Sequence, residues 1–108
     1  MRNYLLIFPF MLSSTVALAN LTHLSCENPQ KTFEMIIAFD QELQHVTMNG
    51  AEITKNVSID SNHITFDFTM NGVWNSYLSR NTGILRVYKE STRELVGLYR
   101  CTKANPKF

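Results

Sequence analysis

Charge of one sign is missing from this chain. Ten basic residues face nine acidic ones, for a formal net charge of +1 at pH 7. The basic residues are scattered, with a local excess only at Lys103 and Lys107 in the tail. A balanced pattern of this kind excludes the electrostatic footprint of nucleic-acid binding or of adhesion to an anionic membrane. Cysteine is equally sparse. The two present, Cys26 and Cys101, stand in no CxxC or Cys/His spacing, which excludes an ordinary zinc site. Only four glycines occur, Gly50, Gly72, Gly83 and Gly97, too dispersed to cradle a phosphate. No GxSxG is present, and the three histidines, His23, His45 and His63, form neither HxH nor HExxH. The carboxylates Glu34, Asp40, Asp60 and Asp67 fall on polar strand faces or in turns, where solvation is their ordinary state. The chain is therefore expected to be no enzyme, with no metal and no cofactor.

Long apolar runs are confined to the first residues. Arg2 is followed by an apolar stretch from Leu5 to Leu18, interrupted by Pro9, Ser13, Ser14 and Thr15, and ending in Ala17-Leu18-Ala19. A basic start, a short apolar run and small residues two apart form the pattern of a secretory signal peptide, residues 1–19, cut after Ala19. The run is too short and too interrupted for a membrane-spanning helix. His23 stands where a lipoprotein leader would need an apolar residue, so residues 20–108 read as one soluble β-rich domain with no membrane association, periplasmic or secreted. Export places Cys26 and Cys101 where disulfides persist, and only one intramolecular pairing exists. Closing so long a loop contributes roughly 4 kcal/mol in the chain-entropy account. Export through a eukaryotic pathway would also make Asn20 and Asn56 glycosylation acceptors, each heading an Asn-x-Ser/Thr triplet.

What the mature chain does have is period-two alternation. From Thr32 to Asp40, Phe33, Met35, Ile37 and Phe39 share a face; from His63 to Met70, Ile64, Phe66, Phe68 and Met70 do. Further strands read at His45–Met48, Ala51–Ile53, Val57–Ile59, Val73–Arg80, Ile84–Lys89 and Leu95–Thr102. Asn49-Gly50, Asn71-Gly72 and Asn81-Thr82-Gly83 supply tight turns. Single helical turns fit at 27–31 and 40–44, and no longer 3.6-residue apolar period exists. The expected fold is all-β: a small antiparallel up-and-down β-barrel, or a sandwich, of about seven or eight short strands. Curling into a barrel would bury the two apolar faces against each other, and the Cys26–Cys101 disulfide would tie the first strand to the last.

On the segment 73–80, Trp74, Ser76, Leu78 and Arg80 share one face. Trp and Arg are the types most enriched at binding hot spots, so Trp74 and Arg80 are the candidate binding surface. The competing reading has an aromatic set closing one end of the barrel, with Arg80 hydrogen-bonded to a turn.

The stretch Tyr77-Leu78-Ser79-Arg80-Asn81-Thr82-Gly83-Ile84-Leu85, followed by a strand ending Gly97-Leu98-Tyr99-Arg100-Cys101, resembles a broad group of small exported bacterial β-proteins without assigned activity. A second resemblance is to the periplasmic inhibitors of C-type lysozyme, also small exported β-barrels closed by a disulfide. Their Ser-Gly-x-x-Tyr loop is absent from this sequence, and no inhibitory residue is carried over. Small size, expected export, a rigid disulfide-closed scaffold and the lack of catalytic groups point to an exported small binding protein with a protein partner, in its most concrete form an inhibitor of a hydrolase such as lysozyme. The alternative is a carrier of a small apolar ligand in a lipocalin-like barrel, which requires a hollow interior.

Overall fold

A computed structural model describes residues 21–104; residues 1–20, where the signal peptide is expected, and residues 105–108 lie outside it. The described residues contain no helix. They form nine antiparallel strands: β1 (Thr22–Glu27), β2 (Glu34–Asp40), β3 (His45–Met48), β4 (Ala51–Ile53), β5 (Lys55–Ile59), β6 (His63–Thr69), β7 (Val73–Ser79), β8 (Ile84–Lys89) and β9 (Leu95–Ala104). The sheet order is β4-β3-β2-β1-β9-β8-β7-β6-β5, an up-and-down meander in which the first strand pairs with the last. The sheet curls into a nearly closed barrel.

The two outer strands of that order, β4 and β5, are consecutive in the chain and separated only by Thr54. β4 pairs with β3, and β5 pairs with β6. They act as one strand, broken at Thr54, that gives its first half to one neighbour and its second half to the other. Counted that way, the nine strands become an even cycle, which is what an antiparallel barrel needs in order to close. Asn56, at φ 52°, takes up the register shift between Lys55 and Ser58.

Each half leaves a seam, and Gln44 closes one of them. Its Nε2 donates to the Ile59 carbonyl at 2.8 Å and its Oε1 accepts the Ile59 N–H at 2.9 Å. The side-chain amide thus takes the place of a strand residue where β3 and β5 do not pair. The other seam, between β4 and the end of β6, stays open as a slot flanked by Met48 and Ile53 on one side and Phe68 and Met70 on the other.

The core follows the expected alternation. Met35, Ile37 and Phe39 of β2 are buried, as are Val46, Ile59, Ile64, Phe66, Leu78, Leu85 and Val87. Cys26, Ile37, Val46 and Ile64 have no exposed surface at all. No water-sized void therefore touches them, and the middle of the barrel is filled. Within this core the Ser76 hydroxyl is buried without a hydrogen-bond partner.

Cys26 and Cys101 form the disulfide and stand directly opposite each other on β1 and β9, with Cα atoms 3.9 Å apart. The Cys101 N–H donates to the Gly83 carbonyl at 2.7 Å, so the Cys101 backbone addresses β8 rather than β1. The cysteines are thus a non-hydrogen-bonded pair, the kind in which side chains approach most closely. Gly83 is needed at this point: its φ is +77°, and a Cβ there would lie 2.8 Å from the Cys101 carbonyl oxygen. A disulfide fits an oxidising compartment.

Three expectations need correction. β1 is an additional strand: only Leu24 and Cys26 of Thr-His-Leu-Ser-Cys-Glu are strongly apolar, so its alternation is faint. Phe33 and Met70, each placed on a buried face, are exposed at 49% and 64%. The ladders stop at Glu34 and Thr69, so the last apolar residue of each pattern lies past the strand end, at the barrel rim. Of the segments 27–31 and 40–44, Glu27 and Asp40 end β1 and β2, and the residues after them form turns and bends, not helix.

Candidate functional site

Trp74 and Arg80 share the inward face of their strand but do not share a site. β7 separates them by about 20 Å at the rise of an extended chain. Each closes a different end of the barrel.

Arg80 spans the end reached by the β2–β3 and β5–β6 turns. One guanidinium nitrogen donates to Gln41 Oε1 at 2.8 Å and to the Asp60 carbonyl at 2.6 Å. The guanidinium carbon sits 5.0 Å from the centroid of the Phe39 ring, a cation–π contact. These bonds tie two turns together through Nη1. Asp60 belongs to the same clasp. Its carboxylate accepts the Asn62 and His63 N–H groups at 2.8 and 2.7 Å. Those bonds hold its pKa below the ordinary value of 3.8, and the positive charge of His63 and Arg80 acts in the same direction. A carboxyl whose folded pKa is depressed stabilises the fold above its unfolded value and loses that contribution as pH falls through the folded one. Acid unfolding should therefore steepen just below the ordinary carboxylate range. An Asp60→Asn variant should lose that component of the pH–stability curve, as measured by denaturation at stepped pH.

The opposite end, around Trp74, is different in kind. It carries an apolar cleft of about 300 Å³. Its floor is Met35 and Val87. Its walls are Met48, Phe68, Trp74 and Tyr99, and its rim is Phe33, Met70 and Val96. Asn49 and Gly97 complete the lining, which includes no charged residue.

Local sequence fixes each of these side chains. Asn28 orders the β1–β2 loop: its Oδ1 accepts the Thr32 and Phe33 N–H groups at 2.9 and 3.0 Å, and its Nδ2 donates to Thr32 Oγ1 at 2.9 Å. That loop sets Phe33 beside Tyr99, ring centroids 6.0 Å apart. Tyr99 lies back over Gly97, where a Cβ would come within 2.7 Å of the ring; glycine makes the space for it. Val96 is the extra residue where the β8–β9 register shifts, which brings it to the cleft. The Trp74 indole N–H donates to the Met70 carbonyl at 2.7 Å, so this wall residue and this rim residue hold each other. Asn49 anchors the corner after Met48 by exchanging bonds with Ile36, its Oδ1 accepting the Ile36 N–H at 2.8 Å.

Sequence reading singled out Trp74 but missed Phe33, Met48, Met70, Val96 and Tyr99. A signal existed for two of them. Phe33 and Met70 are the terminal members of their apolar alternations and each abuts a turn, where a ladder ends before the pattern does. Val96 and Tyr99 owe their places to a bulge and to Gly97, which alternation does not report.

The histidines are dispersed on the outer surface. His45 Nε2 is 3.5 Å from Glu52, and the His63 ring stacks near Tyr77 at 5.0 Å. Among the described residues, no three of the His, Cys, Asp and Glu side chains converge on a metal position. Asp67 accepts from Asn56 at 2.6 Å and Asn75 at 2.8 Å, a surface hydrogen-bond network. Comparison with protein-family models, curated proteins and solved structures finds no match to this chain.

Proposed function

We propose that this chain is an exported small binding protein, periplasmic or secreted, that engages a protein partner through the Trp74 end of the barrel. The observation that supports this reading is the contiguous apolar rim of Phe33, Met70 and Val96, exposed at 49%, 64% and 51% around Trp74 and Tyr99. Single exposed apolar residues are ordinary, whereas a clustered patch on a rigid scaffold marks a contact surface. Tryptophan and tyrosine are the types that anchor such contacts. Arg80, tied into its clasp, is assigned no part in it. The most concrete partner is a hydrolase that the protein would inhibit, such as a C-type lysozyme.

The test compares the wild type with a Phe33→Ser/Met70→Gln double variant of matched thermal stability. Immobilised wild type should capture a partner from the exported fraction and the variant should not; equal capture would place the contact elsewhere. Lysozyme activity titrated with the wild type should fall to stoichiometric inhibition and stay unchanged with the variant. Full activity with both removes lysozyme as the target. The carrier reading has less support, because the filled middle confines any ligand to the cleft itself.

A further inference from the structure

We propose that the Trp74 cleft binds a soft monovalent metal ion, Cu(I) or Ag(I), through the thioethers of Met35, Met48 and Met70. This inference needs no protein partner, although Met70 serves both readings of the cleft. Histidine and cysteine spacing speaks against zinc but says nothing of thioether ligands. The chain has five methionines. Met1 and Met11 lie outside the described residues, and the other three all line this one cleft. They reach it from β2, from the end of β3 and from the β6–β7 turn, so three separate elements of the chain deliver one ligand type to one place.

The ordinary use of methionine is to fill irregular gaps in a core. Met35 fits that use, being 6% exposed. Met70 does not: it is 64% exposed and fills nothing, yet the Trp74–Met70 hydrogen bond pins its backbone at the rim. Met48 and Met70 also both line the open slot between β4 and β6. An ion held between them would bridge the seam that the strands leave unpaired.

The lining selects the ion. It has no lysine or arginine to repel a cation and no carboxylate to hold a hard one. Both cysteines are committed to the disulfide, so no thiolate competes. A donor set of neutral sulfur prefers the soft ions Cu(I) and Ag(I) over Zn(II) or Mg(II). A monovalent charge is also the least costly to bring into an apolar cleft, and the adjoining indole adds attraction for a cation.

The probe is Ag(I), which needs no reductant, titrated into the full-length oxidised protein, with Cu(I) added under anaerobic conditions as a second arm. The single tryptophan, Trp74, reports by fluorescence, and the methionine methyl groups report by NMR. Saturation at one ion per chain, with all three cleft methyl signals shifted, is the expected result. Met48→Leu and Met70→Leu keep the apolar volume and remove the sulfur. Each should weaken Ag(I) binding by at least the ~10-fold typical of losing even an outer partner of a metal. Met35→Leu, on the buried floor of the cleft and outside the rim of Phe33, Met70 and Val96, should weaken Ag(I) binding and keep any protein contact, which separates this proposal from the one above. Unmoved methyl signals at stoichiometric Ag(I) would overturn it without recourse to any variant. So would unaltered binding by the triple leucine variant, or equal binding of Zn(II) in the cleft.

Discussion

Replacing Cys26 and Cys101 with alanine should lower the stability of the domain by about 4 kcal/mol. The bond closes a loop with a sequence separation of 75, and the gain comes mainly from restricting the unfolded chain. Domains of this size are stable by only about 5–15 kcal/mol in all, so the loss is a large share. The position of the bond adds to its effect. β1 and β9 lie at the centre of the sheet order, where neither strand is joined to the other by a short turn. Every other ladder joins strands that a tight connection already brings together. The β1–β9 ladder alone must be found across the whole chain, and the disulfide holds it. Urea denaturation of oxidised and reduced protein, side by side, measures the effect. Coincident midpoints would mean that the ladder holds without the bond.

The second large effect is expected at Gln44. Gln44→Ala should cost about 2–4 kcal/mol, since, besides a local bond to the Gln41 carbonyl, it removes two hydrogen bonds across the seam and leaves a buried N–H and a carbonyl unpaired. Both bonds go to the backbone of Ile59, which is 4% exposed. Gln44→Glu is the informative control. A carboxylate still accepts the Ile59 N–H but offers no donor to the Ile59 carbonyl, so part of the loss should remain. Hydrogen exchange should show the damage localised at Ser58–Ile59 and at the β3 side of the seam, with β1, β8 and β9 protected as before. Equal exchange in wild type and variant would mean that the seam is closed by packing and not by the amide.

Most of the barrel was legible because alternation and turn chemistry are local properties. Ile64 and Phe66 announce an inward face, and Asn49-Gly50 announces a hairpin with both φ values positive, as found. The disulfide was legible from two cysteines and the expected signal peptide. What escaped was set by distance along the chain. Nothing near Gln44 says that its amide will meet Ile59, and nothing near Thr54 says that the strand will change partners there. The candidate site suffered from the same blindness. Trp74 and Arg80 lie on one face of one strand, which the sequence shows. That the face turns inward, so that its two ends emerge at opposite mouths, depends on how the sheet curls. The methionines are 13 and 22 positions apart in turn, a spacing with no local meaning, and only closure of the barrel gathers them.

The pairing of β1 with β9 also gives the molecule a direction. His23 lies opposite Ala104, so the described chain begins and ends side by side, at the Arg80 end. The Trp74 cleft opens at the other. The described chain is thus entered and left at the base, at the end of the barrel away from the mouth. A surface or resin that grips the protein by its ends would therefore hold it upright, with the cleft presented outward.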